Sequence, residues 1–153
     1  MTALNILIEL AENDVATAAK NLGKAIKARD EANDQLNLLT QYRGDYAQRL
    51  QTSAGQGLNV RQFINFQAFI GKLDEATVGQ KKIIQDAEYK IEREKRIWQE
   101  CEKKRLSYQT LINRNAAAEQ IKEAKRDQKQ TDERATRKLF YKEALSNKAS
   151  DEI

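Results

Sequence analysis

From Leu4 onward, apolar residues recur at alternating steps of three and four: Leu4, Ile8, Ala11, Val15, Ala18, Leu22, Ala25, Arg29, Ala32, Leu36, Leu39, Arg43, Tyr46 and Leu50. Twelve of these fourteen positions are apolar, which is a heptad held for almost seven repeats. On an α-helix that spacing makes one continuous stripe and calls for a coiled-coil partner. Leu4, Ala11, Ala18, Ala25, Ala32, Leu39 and Tyr46 take the d positions, and the remainder take the a positions. The run Thr52-Ser53-Ala54-Gly55-Gln56-Gly57 breaks the pattern with two glycines and small polar residues, which reads as a turn. Asn59 followed by Gln62 has the spacing of a helix N-cap with its reciprocal partner. A second heptad then runs through Phe63, Phe66, Ile70, Leu73, Thr77, Gln80, Ile84, Ala87, Ile91, Glu94, Trp98, Cys101, Arg105, Tyr108, Ile112 and Asn115.

The pattern therefore predicts an all-α fold, an elongated antiparallel two-helix coiled coil forming a single domain over residues 1–153. The first helix is expected over about 3–51, the hairpin loop over 52–58, the second helix over 59–145, and a disordered tail over 146–153. In an antiparallel pair an a residue meets a d residue. One register satisfies every layer: Leu50 on Phe66, Tyr46 on Ile70, Leu36 on Gln80, Ala32 on Ile84, Ala25 on Ile91, Ala18 on Trp98, Val15 on Cys101, Ile8 on Tyr108 and Leu4 on Ile112. Small residues face large ones, so two helices can approach closely with the seam filled. The weak layers are Arg29 on Ala87, Arg43 on Leu73, Leu22 on Glu94 and Ala11 on Arg105, where long stems can pack while charged heads reach water.

The first helix begins opposite Asn115, whereas the second stays helix-like to about Leu145, so roughly thirty residues overhang. They contain strong helix formers and pairs such as Glu133 and Arg137 but almost no apolar stripe. Such a run is either a solvated helix or a segment that docks in a partner.

Composition sharpens this picture by exclusion. The 153 residues contain 20 alanines, no proline, no histidine and one cysteine. Nothing but glycine obliges the backbone to turn. Without histidine, His-based acid-base chemistry, Cys/His zinc sites and Ser-His-Asp or Cys-His nucleophiles are gone. No catalytic residue, cofactor, metal or small-molecule ligand is expected, and Gly55-Gln56-Gly57 lacks the rest of a phosphate-cradling loop. Cys101 has no intramolecular disulfide partner and suits a reducing cytoplasm. No apolar run reaches the ~18 residues of a membrane span, and Leu4 to Leu10, interrupted by Asn5 and Glu9, does not read as a signal peptide. The chain should be soluble.

The net charge of +4 is concentrated late, with 13 basic and 9 acidic residues after position 100. Carboxylates are interleaved throughout, which disfavours nucleic acid as a partner. A basic nucleic-acid-binding coiled coil is kept as the rival of a different class. Trp98 reads as a core residue over Ala18, Cys101 as a buried small hydrophobe, and Asp127, Asp132 and Glu133 as surface ion pairs with interleaved Lys and Arg, not a cation site.

Several segments carry a more specific likeness: Leu-Thr-Gln-Tyr-Arg-Gly-Asp-Tyr at 39–46, Phe-Ile-Asn-Phe-Gln-Ala-Phe-Ile at 63–70, Trp98 with Lys104-Arg105-Leu106, and Arg-Asp-Gln-Lys-Gln-Thr-Asp-Glu at 126–133. In this order they resemble the flagellar FliJ family, the soluble stalk of the flagellar type III export ATPase complex, over roughly residues 11–135. The resemblance implies a cytoplasmic, non-enzymatic coiled coil similar to the central stalk of rotary ATPases, peripherally associated with the inner membrane at the flagellar base. It implies three partners: the hexameric export ATPase, the cytoplasmic domain of the membrane export gate, and the export chaperones. The equivalent stalk of a virulence-type secretion system is the nearest rival. The family's gate-binding positions carry over as Gln35, Leu39, Tyr42, Tyr46, Phe69, Leu73, Ala76 and Gln80, the last departing from the family's histidine. Tyr42 and Phe69 lie off the seam and are free to serve a partner, whereas Leu39, Tyr46 and Leu73 are expected mainly to hold the hairpin together.

Overall fold

The structure, a computed structural model, describes residues 2–151. Two helices account for nearly all of them: α1, Ala3–Gly55, and α2, Val60–Asp151. At about 1.5 Å per residue they are roughly 80 Å and 138 Å long. Both starts are capped by side chains. The Thr2 hydroxyl accepts from the Asn5 amide at 3.3 Å. Asn59 accepts from the Gln62 amide at 2.8 Å while the Asn59 amide donates to the Gln62 side chain at 3.4 Å, the reciprocal pair its spacing predicts.

The connection is tighter than the sequence pattern suggests. The loop was expected from Thr52, but α1 continues to Gly55, and Thr52 keeps its hydroxyl on the Gln48 carbonyl at 3.1 Å. Small polar residues do not end a helix by themselves; the chain turns at Gly57, whose φ of 89° is cheap only for glycine. The far end differs too. Residues 146–151, expected to be disordered, continue α2, because nothing from Ser146 to Asp151 breaks a helix and Ser150 bonds back to the Ser146 carbonyl at 3.1 Å. Residues 152–153 of that expected tail lie outside the described residues.

Between Ala3 and Ile112 the helices pair along the expected seam. The most deeply buried of the described residues are Ala11, Ala18, Ala25 and Ala32 of α1 and Leu73 of α2. The larger residues set over those alanines, Ile84, Ile91, Trp98 and Arg105, are half-buried. The core is thus one residue thick, with alanine as the floor and long side chains as the fill. Cross-helix contacts agree with the expected register to within one helical turn. Gln80 Nε2 donates to the Ala32 carbonyl at 2.9 Å, Tyr46 lies 5.0 Å from Phe66 and 4.4 Å from Phe69, and Arg43 meets Asp74. The seam arginines place their heads outside it. Arg43 binds Asp74 at 2.6 Å, Arg29 binds Asp30 at 3.0 Å and Arg105 pairs with Glu102.

Beyond Ile112, α2 has no partner. Every residue from Asn113 to Asp151 is exposed, over about 58 Å of solitary helix. Among the described residues no helix is long and apolar enough to cross a membrane.

Candidate partner-binding surface

The heptad gives the paired stem two distinct edges. In an antiparallel pair the residues preceding each a position, the g residues, share one edge, and those following each d position, the e residues, share the other. Near the hairpin turn, Tyr42, Arg49 and Phe69 are g residues. They line a groove of about 330 Å³ together with Asp45, Tyr46 and Leu73. Tyr46, from the seam, stacks at a tilt on Phe69, with ring centroids 4.4 Å apart. Tyr42 is 56% and Phe69 44% exposed. Two rings standing this far into water on one groove cost solvation unless something covers them, and aromatic residues in such settings anchor partners.

The structure brings together four of the eight candidate positions, Tyr42, Tyr46, Phe69 and Leu73, in this one groove. Leu73 is buried and Tyr46 half-buried, so both support the hairpin as well as the surface. Leu39 is half-buried in the seam. Gln35 and Ala76 are exposed a turn or two farther along the same edge. Gln80 is turned inward, its amide spent on the Ala32 carbonyl across the seam. That withdraws its amide from the exposed patch: a glutamine at a d position is long enough to reach the Ala32 carbonyl one turn from Leu36, and a half-buried amide is best satisfied there.

The opposite edge is chemically different. Asp74 and Glu102 occupy e positions, and both take an arginine from the seam. The Asp74 carboxylate, through its hydrogen bond and then its charge, raises the pKa of the Arg43 guanidinium above its ordinary value. The hydrogen bond from Arg105 lowers the pKa of Glu102. These pairs tie up two of the carboxylates on that edge.

Other features fall in less expected places. Cys101, expected to be buried, is half-exposed beside Ala11, Asp14, Lys104 and Ser107 in a second groove of about 470 Å³. A two-helix seam only one residue thick covers the small alanines of α1 but leaves the larger residues opposite them, Cys101 among these, partly open from the side. Trp98 is half-buried in its layer with Ala18. The overhang's expected ion-pair network does not form: Asp127, Asp132 and Glu133 stand exposed with no salt bridge among the described residues. Held apart on one bare helix, such charges gain too little in water to fix their long side chains. A hollow of about 540 Å³ beside them is lined by α2 alone and is open helix surface. The sequence reading also passed over a cluster near the end of α2: Leu139, Phe140, Tyr141 and Leu145 are 58–75% exposed. The signal was present as four large apolar residues within seven, but it fits no heptad continuing from the stem.

A rod with one aromatic groove near its turn and one unpaired helical end belongs to the all-α helical hairpins, a coiled coil of two helices. The family model described as "Flagellar FliJ protein" matches residues 1–144. A relative from Salmonella typhi named "Flagellar FliJ protein" is 33% identical over 140 residues, covering 92% of this chain and 95% of the relative. A relative of the same name from Escherichia coli (strain K12) is 31% identical over the same shares. The chain belongs to the flagellar FliJ family and is a component of the flagellar export apparatus.

Proposed function

We propose that this protein is a non-enzymatic stalk of the flagellar export machinery, joining the export ATPase ring to the cytoplasmic domain of the membrane export gate. The observation that carries this reading is the separation of two dissimilar surfaces on one rod. The exposed Tyr42–Phe69 groove lies near the hairpin turn, and the unpaired α2 overhang lies at the far end. In this reading the groove meets the gate, and the overhang, with the α1 N-terminus beside its base, enters the ATPase ring. The overhang between residues 116 and 145 carries 8 basic and 6 acidic side chains, which suits a polar channel. The Leu139–Leu145 cluster supplies an apolar foot at the end of it. Export chaperones are the third expected partner class, and the cytoplasmic face of the inner membrane the expected location. Flagellar relatives over nearly the whole chain favour this stalk over the virulence-type equivalent. The interleaved carboxylates speak against nucleic acid.

Pull-down with the export ATPase and with the gate's cytoplasmic domain tests both ends. Truncation after Asn115 should abolish ATPase stimulation and leave gate binding intact. Tyr42→Asp with Phe69→Asp should do the reverse, weakening gate binding about thirtyfold for an anchor contributing ~2 kcal/mol. If the truncated rod stimulates the ATPase normally, the overhang is not the docking element. If the double variant loses helicity, the two rings hold the hairpin and the contact reading fails.

A further inference from the structure

The tip groove is one end of a longer feature. The second groove, some 50 Å down the stem by helical rise, is lined by the same heptad positions from both helices. Asp14 and Lys104 are g residues, Ala11 and Cys101 d residues, and Ser107 and Glu100 lie one step outside. Between and beyond the two grooves the same edge carries Ile83, Ile97 and Leu111 on α2, spaced fourteen residues apart and continuing from Phe69. Leu7, Leu10 and Leu38 stand on the α1 side. These six are 41–54% exposed. On the opposite edge exposed apolar residues are fewer, Ile26 on α1 and Val60, Ile64, Val78 and Leu106 on α2, and that side holds all three ion pairs found among the described residues.

A seven- or fourteen-residue apolar spacing beside an existing seam is the geometry by which two helices accept a third. The charges along the edge say which third helix fits. On α2 it is flanked by Lys72, Lys90, Arg93 and Lys104 against Asp86 and Glu100, and none of these takes part in a salt bridge among the described residues. On α1 it is flanked by Asp14, Glu31 and Asp45 against Lys24 and Arg49. One margin is basic and the other slightly acidic. We infer that this edge is a docking track for an amphipathic helix of a partner protein, with a heptad apolar face and an acidic flank lying over α2. A second copy of the chain is a poorer occupant. If two copies met antiparallel about a dyad centred between Ile83 and Ile97, Lys90 would fall on its own counterpart, where like charges repel. The inference is tested apart from the assignment of the tip groove to the gate, at Ile83, Ile97, Lys90 and Lys104, which lie farther down the stem.

The test uses the full-length chain and a fluorescent synthetic helix of four heptads. The helix has leucine at a and d, glutamate along one flank and lysine along the other, and is used at concentrations where it does not pair with itself. A helix can reverse its direction to bring either flank over α2, so the control peptide carries lysine along both flanks. Anisotropy should show the glutamate-flanked helix binding at least about tenfold more tightly than the control. Ile83→Lys with Ile97→Lys should lose about tenfold or more while circular dichroism and the melting midpoint stay unchanged, since both residues are outside the seam. Lys90→Glu with Lys104→Glu should weaken binding, whereas Lys81→Glu with Lys95→Glu on the opposite edge should not. Equal binding of the two peptides, or no loss in the isoleucine variant, overturns the proposal. So does sedimentation showing that the chain dimerises through Ile83 and Ile97, which would make a second copy the occupant.

Discussion

The paired and unpaired lengths of α2 are made of similar residues and differ in what holds them. From Val60 to Ile112 the helix sets mostly apolar residues every three or four positions against α1, and Leu73 is buried. From Asn113 to Asp151 the backbone is equally helical, yet no side chain is even half-buried. Helix continuity and helix pairing are therefore separate properties of this sequence. Alanine, glutamate, lysine, arginine and glutamine without a proline sustain the helix; only the seven-residue period recruits a partner. A helix held by propensity alone opens locally at little cost, while a paired one opens only with its seam.

The sharpest way to break the comparison is to place the same substitution in each length. Ala18 is 3% exposed at the floor of the seam, and Ala124 stands in water. Glutamate keeps helix propensity nearly constant, so the difference between sites reports burial. Ala18→Glu forces a longer, charged side chain under Trp98 and should destabilise the stem by about 2–4 kcal/mol in denaturant melts followed by circular dichroism. Ala124→Glu should stay within about 0.5 kcal/mol. Equal effects would mean that the overhang is packed in solution, contrary to its exposure.

A cross-link sharpens the register on which the stem rests. Val15 faces Cys101 in the expected pairing, and Cys101 lies beside Ala11 and Asp14, which flank that layer. Val15→Cys should oxidise readily and raise the stem's stability by about 2 kcal/mol, the low end for a disulfide. Ile8→Cys and Leu22→Cys, each one heptad away, should not cross-link at a comparable rate. None of the three changes should alter amide exchange beyond Asn113. Faster oxidation at a control position would overturn the register.

The seam was legible because it depends on one repeated number. Thirteen of the fourteen expected α1 positions are buried or half-buried, and the exception, Arg43, is drawn out of the seam by Asp74. On α2 the misses are Phe63 and Asn115, at the two ends where the partner helix no longer covers them. What could not be read depended on single side chains choosing between neighbours. Gln80 took a carbonyl across the seam, Cys101 stayed open at its side, and Glu133 and Arg137 stood near enough to pair and did not. Helix ends were misjudged for a related reason: Thr52 and Ser146 disfavour helix too weakly to stop one that is already propagating. The aromatic groove was half legible. Tyr42 and Phe69 lie off the seam by their spacing alone, but that Tyr46 stacks on Phe69 to build the groove's wall depends on side-chain packing that no spacing encodes.

The smallest expected effect separates the lengths by acid. Arg105 leaves the seam to pair with Glu102, with Glu12 of α1 adding its charge nearby, so this carboxylate serves the paired stem. Its hydrogen bond from Arg105 sets the folded-state pKa of Glu102 below the ordinary value of 4.5. A carboxylate depressed on folding contributes stability that is fully present above its unfolded pKa and is lost as pH falls through the folded one. The stem's midpoint should therefore decline on acidification below about 4.5, and Glu102→Gln should flatten that part of the decline while changing the midpoint little at pH 7. Because the pair is open to water, salt should shrink the difference between the two proteins. The chain truncated after Asn115 should show the same difference between glutamate and glutamine as the full chain. If truncation abolishes it, the overhang is coupled to the stem and the two lengths of α2 are not independent.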